Sequence, residues 1–447
     1  MLAILLKSDT LIWSIHCNDI QGRNAKYLHG QRRAKVNKLS MMLMVMTLGT
    51  GFSVQAHEHT DFSKLNIKNS DRDVYLTIDA DALTSAKKNF RHHVEVLEVR
   101  DGIAVIRTKE TATEFLSEMM HEEFNRCGGY MFHDNAASAK LELYSNDARM
   151  MAEKAIFANY TIDQQDTVEK LIPQVNASEI EATIRKLSSF KNRYYQSEYG
   201  VQSQEWIKQK WTELASGRND VKVEFFEHSA WKQPSVVMTI TGAVNPEEVV
   251  VVGGHADSIS GWMGGSNITA PGADDNASGM SSITEIIRVL MENSYRPNKT
   301  IQFMGYAAEE VGLRGSKEIA SAYKNAGKSV IGVMQLDMTN FKGSENFDIV
   351  MMTDFTNADQ NEFIGRIIDE YLQGLRWGYD KCGYGCSDHA SWHSNGFPAS
   401  MPFEARKNDM NRKIHTTGDL IEVSRGSASH AAKFSQLGVA FIVELDR

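Results

Sequence analysis

Cysteine, proline and long apolar runs are all scarce in this sequence. Only four cysteines occur in 447 residues, Cys17, Cys127, Cys382 and Cys386, which is too few for a disulfide-scaffolded fold. The Cys382-Gly-Tyr-Gly-Cys386 spacing could ligate a metal, but no second Cys or Cys/His pair completes a structural zinc site. The other reading is a short-loop disulfide, which an oxidising compartment favours. Seven prolines and a charged fraction of 23% exclude collagen-like, mucin-like and disordered classes. Past the first residues no apolar run approaches the roughly 20 residues of a membrane span, so no membrane anchor is expected. An excess of positive charge is also missing. Beyond residue 40 the chain carries 41 basic and 55 acidic residues, and neither nucleic acid nor an anionic surface is an expected partner.

The first segment differs from the rest. A basic cluster, Gln31-Arg32-Arg33-Ala34-Lys35-Val36-Asn37-Lys38, precedes the apolar run Met41 to Val54 and the small-residue signal Val54-Gln55-Ala56. That order of charge, apolar core and small residues predicts a secretory signal peptide within 1–56, and a secreted or periplasmic location. Residues 57–158 alternate short strands (Val74 to Ile78, Val94 to Val99, Ile103 to Thr108) with a helix around Thr113 to Arg126, a small α+β unit without a chemical motif. Its His92-His93 pair fits a solvated turn. This unit reads as a propeptide, which leaves 159–447 as the catalytic domain.

In that last segment helices and strands alternate, which predicts an α/β domain: a mostly parallel or mixed central sheet with helices on both faces. The predicted strands are Val236 to Thr241, Val249 to Val252, Thr300 to Tyr306, Val330 to Leu336 and Ile349 to Thr353. Ligands in such sheets bind beyond the carboxyl ends of strands, and polar residues accumulate there. Gly253-Gly254-His255-Ala256-Asp257-Ser258 puts a histidine at a strand end, with a carboxylate two residues on that can hold its second N–H. Pro271-Gly272-Ala273-Asp274-Asp275-Asn276 crowds three polar residues before a helix that needs one cap. Asp275 is the candidate to bridge two cations. Ala307-Ala308-Glu309-Glu310 offers one glutamate as a ligand and its neighbour as a proton acceptor. With Asp337 and His415, two histidines and three carboxylates could give three protein ligands to each of two metals, leaving positions open for water as catalytic zinc requires.

Taken together these residues resemble the zinc aminopeptidases of peptidase family M28, particularly the bacterial leucyl aminopeptidases. The resemblance runs from about Leu171 onward through Gly-Gly-His-Ala-Asp-Ser, Pro-Gly-Ala-Asp-Asp-Asn-Ala-Ser-Gly, Tyr-Ala-Ala-Glu-Glu-Val-Gly-Leu-Arg-Gly-Ser, Gln-Leu-Asp-Met-Thr-Asn, Cys-Gly-Tyr-Gly-Cys-Ser-Asp-His-Ala-Ser-Trp and Ile-His-Thr-Thr. It implies the zinc-exopeptidase fold and two Zn2+ ions, one held by His255 and Asp337, the other by Glu310 and His415, with Asp275 between them. Glu309 becomes the general base and Asp257 the residue that orients His255. Tyr384, inside a Cys382–Cys386 disulfide loop that supports the pocket, would lie near the developing oxyanion. An apolar pocket near Met338, Met352, Met401, Phe403, Met410 and Ile414 would take a large apolar first residue. The implied substrate is the free N-terminus of a peptide, the implied state a monomer, and the propeptide is expected to contact the catalytic domain before removal near Asn159 to Thr161. Where relatives line the pocket with aromatic residues, this chain has Lys407 and Met410. A carboxypeptidase or a one-zinc cyclase could share the ligands, whereas a non-enzymatic binding module would be expected to have lost a ligand or the base.

Overall fold

The structure is a computed structural model that describes residues 3–7, 10–14, 71–90, 93–124, 126, 128–133, 135–144, 157, 160–261 and 265–447. The expected signal peptide and Ala56, with Cys17, His92, Cys127 and Asn159, lie outside the described residues. Residues 1–60 and 61–447 form separate units. The first is described only as an antiparallel hairpin of β1 (Ala3–Lys7) and β2 (Thr10–Ser14).

The second unit opens with a four-stranded sheet. Its elements follow the order β3 (Asp73–Asp79), helix Leu83–Phe90, β4 (Glu95–Arg100), β5 (Ile103–Lys109), helix Ala112–Phe124 and β6 (Tyr130–His133). The strand order is β4-β5-β3-β6 with every pair antiparallel, the split βαββαβ arrangement of ferredoxin-like domains. Asp101-Gly102 makes the tight β4–β5 turn, both residues at positive φ as the mirror-image hairpin turns require. Leu76, Ile78, Phe90, Ile106, Leu116 and Met119 share one buried core. The predicted strands and long helix of this unit are present; β6 and the helices Leu83–Phe90 and 136–144 add to them.

The main sheet has eight strands: β7 (Val221–Phe226), β8 (Ser235–Ile240), β9 (Asn245–His255), β10 (Lys299–Tyr306), β11 (Ser329–Gln335), β12 (Ile349–Met352), β13 (Trp377–Asp380) and β14 (Ala399–Phe403). They run in the order β13-β12-β14-β11-β9-β10-β8-β7. The central four, β14, β11, β9 and β10, are mutually parallel, while β8 and β12 join them antiparallel. Strand alternation divides the core: Val250 and Val252 face the helices Ala177–Ser188, Ala277–Glu292 and Ala431–Leu445, whereas Val249 and Val251 face the helices Arg314–Asn325 and His389–Ser394. Helices therefore cover both faces, and the sheet is mixed, as the sequence predicted. All five predicted strands form; β7, β13 and β14 are additional, the last two being short strands in segments without a strong period-2 pattern.

Candidate active site

Register fixes where the polar residues emerge. Tyr306 of β10 pairs with His255 of β9, and Gln335 of β11 with Gly253 of β9, so three parallel strands end at one level. Their continuations carry His255, Glu309 with Glu310, and Asp337. The helix Ala277–Glu292 points its N-terminus into the same place with Asp275, and a loop contributes His415.

The polar triplet before that helix divides three tasks. Asn276 is the cap: its Oδ1 accepts from Gly279 N at 2.9 Å and from Met338 N at 3.2 Å, while its Nδ2 donates to Leu336 O at 3.0 Å, tying helix to strand end. Asp274 turns away to accept from Asn340 N and Asn411 Nδ2. Only Asp275 faces the cluster. Its Oδ1 is 3.0 Å from His255 Nε2 and its Oδ2 3.0 Å from His415 Nε2.

Two groups could each hold a cation, His255–Asp275–Asp337 and Asp275–Glu310–His415, with ligand atoms within 4.8 Å of one another in each. Asp275 belongs to both. His255 Nε2 is 3.4 Å from Asp337 Oδ1, and His415 Nε2 is 2.8 Å from Glu310 Oε2. All five residues are buried, as is Glu309. Asp257 sits behind, its Oδ1 3.4 Å from His255 Nδ1. Its two oxygens also accept the backbone N–H groups of Glu309 at 3.1 Å and Glu310 at 3.2 Å. One carboxylate thus sets both the imidazole and the glutamate turn. Ala308, Met338 and His415 adopt positive φ without being glycine, a conformation that clusters at functional sites because surrounding contacts must impose it.

The electrostatics of the cluster favour a cation. Burial pushes Glu309 well above the ordinary carboxyl range, with Glu310, Asp388 and Asp337 adding to the rise against His255. Burial and Asp275 bring Glu310 up to about 7. The buried His255 ring is nevertheless driven to hold its proton by Asp337, Glu309, Asp257 and Asp275. Glu309 Oε2, Glu310 Oε1 and Asp337 Oδ1 accept no hydrogen bond among the described residues, although a buried polar atom left so costs about 1–3 kcal/mol. Imidazole and carboxylate donors, three to a group, fit zinc, and a divalent ion would neutralise this excess of buried negative charge.

The predicted pocket residues also come together. Met338, Met352, Tyr384, Cys386, Met401, Phe403, Met410 and Ile414 form one buried apolar cluster. It adjoins the polar cluster through the peptide bonds Asp337–Met338 and Ile414–His415. Cys382 and Cys386 are disulfide-bonded, and Asp354 Oδ2 accepts from Cys382 N at 2.6 Å.

Residues 235–437 match the profile of peptidase family M28. A leucine aminopeptidase 1 of Metarhizium robertsii is 33% identical over 362 residues, which cover 78% of this chain and 89% of that protein. The chain belongs to peptidase family M28. It is a zinc-dependent aminopeptidase. A leucine aminopeptidase 1 of Arthroderma gypseum is 39% identical over 312 residues, 66% of this chain and 81% of its own length. Among solved structures, the LapA aminopeptidase of Legionella pneumophila superposes with a TM-score of 0.70 at 28% identity, covering 84% of this chain and 99% of its own. That alignment is longer than residues 160–447, so it extends into the small sheet.

Sequence reading missed the supports of this M28 site. Arg193 is buried, and its guanidinium donates to Ala256 O at 2.9 Å, Pro271 O at 2.6 Å and Gly272 O at 2.9 Å. It clamps the His255 loop to the Asp275 loop, and burial lowers its pKa to about 10. Asp419 accepts from Asp275 N at 3.1 Å. A lone arginine in a polar stretch carries no motif, so only the packed chain reveals it; Asp419, four residues past His415, could have been suspected from proximity.

The small sheet lies against this face of the catalytic domain. Ser117 Oγ donates to Glu310 O at 3.2 Å, and Phe132 N to Gly312 O at 3.2 Å. Arg314 reaches Glu110 at 3.1 Å, Met131 packs against Leu313 and Ala390, and the Arg126 guanidinium lies 5.3 Å from the Tyr384 ring centroid. The loops bearing Glu309–Glu310 and Tyr384 are therefore among the parts it touches, with the helices Arg314–Asn325 and His389–Ser394.

Proposed function

We propose that the protein is a secreted two-zinc aminopeptidase that removes single large apolar residues from the free N-terminus of peptides, and that the small sheet within 57–158 is its removable propeptide. The observation that carries the two-metal reading is Asp275, whose two oxygens face two histidine-containing groups. His255 and Asp337 would hold one zinc, Glu310 and His415 the other, with Asp275 bridging. When bound, zinc supplies Lewis-acid polarisation of the scissile carbonyl and a more acidic water nucleophile. The chain's own residues do the rest. Glu309, held by Asp257 through its backbone N–H, accepts the proton of the attacking water and returns it to the leaving amine. Asp257 keeps the His255 ring in its ligating tautomer. Tyr384 donates its hydroxyl to the developing oxyanion. The methionine-rich cluster is adaptable and polarizable, which suits leucine, methionine or phenylalanine side chains.

The test is hydrolysis of leucine p-nitroanilide and of its N-acetylated form by the zinc-loaded protein expressed from the full chain. Only the free-amine compound is expected to be cleaved, and Glu309→Gln is expected to lower kcat by about 10²–10⁴-fold with zinc content unchanged. Cleavage of the acetylated form would contradict the exopeptidase reading. Full activity in the Glu309 variant would remove the base.

A further inference from the structure

The apolar cluster next to the ligands has a cationic rim. Lys407 lies four residues past β14, its backbone N–H fixed by Asp380 Oδ2 at 2.9 Å. Its side chain runs along the cluster, with Nζ 3.9 Å from Met410 Sδ and 5.3 Å from the centroid of the Tyr384 ring. Both partners are buried members of the cluster, while Lys407 itself is half-buried. Its neighbour Arg406 repeats the arrangement, the guanidinium carbon 4.7 Å from the ring centroid of Phe347, which packs against the same cluster. A lysine covers apolar surface with its methylenes while its ammonium stays at the wet edge, and aromatic faces attract such cations. An apolar floor therefore meets an edge of fixed positive charge.

We propose that Lys407 is a specificity-determining residue that makes the enzyme reject peptides beginning with lysine or arginine and accept those beginning with glutamine or glutamate alongside leucine. This rests on reading the cluster as the seat of the first side chain. A basic first residue has an apolar stem that the methionines could pack, so the floor alone would not exclude it. Its terminal charge would then arrive beside the Lys407 ammonium, where like charges repel. A glutamate or glutamine tip at the same depth instead meets a hydrogen-bond donor. The Asp380 carboxylate accepts the Lys407 backbone N–H through Oδ2. Arg126 of the small sheet also lies on Tyr384, so removal of that sheet leaves the rim charge to Lys407 and Arg406.

The experiment measures kcat/KM for leucine, glutamine, glutamate and lysine p-nitroanilides with the zinc-loaded protein expressed from the full chain, each normalised to leucine. The wild-type lysine-to-leucine ratio should be low. Lys407→Met should raise it about tenfold, and Lys407→Glu should raise it further while lowering the glutamate ratio about tenfold, a change of about 1.4 kcal/mol. Lys407→Arg should keep the wild-type ratios. Raising salt from 0.05 to 0.5 M should narrow the wild-type preference for glutamate over lysine, a readout that needs no variant to fold. Ratios within twofold across all four forms, or a salt-independent preference, would overturn the proposal while leaving leucine cleavage standing. Loss of leucine cleavage in the wild type would instead remove the aminopeptidase reading beneath it.

Discussion

In the small sheet, Arg126 is buried between Asp79 and Asp81, and His133 lies between Thr77 and Lys317. At the end of the large sheet, His255, Glu309, Glu310 and Asp337 are buried with donor and acceptor atoms that find no hydrogen bond among the described residues. In the first region the buried guanidinium is paired with carboxylates, as a buried charge requires, and the His133 ring is held neutral by burial and Lys317. The second leaves buried charge unsettled, and Asp257, Asn276, Arg193 and Asp419 use their own hydrogen bonds to keep the cluster from relaxing. The difference separates a sheet whose buried guanidinium is already paired from a sheet end whose donors fit a cation.

The contrast is broken most severely at Asp275. Asp275→Asn keeps the shape but removes the charge shared by the two groups, so zinc binding should fall at both. Losing the Lewis acid forfeits several kcal/mol of transition-state stabilisation, at least about 10³-fold in kcat. Metal analysis of the purified variant, beside the rate on leucine p-nitroanilide, checks this. Retention of wild-type zinc with a lost rate would show that Asp275 does something other than ligate. The apo variant should also unfold at a lower temperature than the apo wild type, because, against the cost of burial, the His255 and His415 rings hold the Asp275 carboxyl ionised and the substitution removes the charge they pair with.

Much of this region was legible in the sequence because its chemistry is carried by residues within a few positions of strand ends. His255, Glu309–Glu310 and Asp337 follow apolar runs whose length and composition already predict parallel strands. Asp275 was legible because a helix start does not need three polar residues, and Asn276 alone proves to be the cap. What stayed hidden acts across long sequence separations. Arg193 joins two loops that lie 63 and 78 residues away along the chain, and nothing local marks it. β14 was missed because its five residues, Ala399–Phe403, include a proline and show no alternation, every position being buried. β13 was missed because it is a four-residue edge strand.

A smaller effect is expected where the two regions meet. Met131 is buried between Leu313 and Ala390, and Met131→Ala would leave a cavity in that contact without altering any residue of the catalytic domain. Truncation of a buried methionine costs about 2–5 kcal/mol, here charged to the docking of the small sheet. Limited proteolysis of the full-length variant should cut the small sheet faster than in the wild type, with the catalytic domain resisting equally in both. Equal rates would mean that the contact contributes little to holding the two together.

The smallest effect tests whether the paired charges of the small sheet are as settled as their geometry suggests. Asp79 is 3.3 Å from Arg126, yet burial, with Asp81 and Asp354 nearby, raises its carboxyl to about 7 against the pull of the guanidinium. A carboxyl raised in the docked form binds its proton more tightly there than when released to solvent. The contribution to docking is therefore full below about pH 4 and is lost as pH rises through 7. Its size should be on the order of 1–2 kcal/mol, because the interface edge is partly solvated. Proteolytic release of the small sheet should accordingly quicken between pH 5 and pH 8 by more than the protease's own pH dependence, measured on an unfolded substrate. Asp79→Asn cannot lose a proton, so it should abolish that excess; an excess that persists in the variant would assign the pH dependence to another group and leave the Asp79–Arg126 pair as a contact with fixed charge.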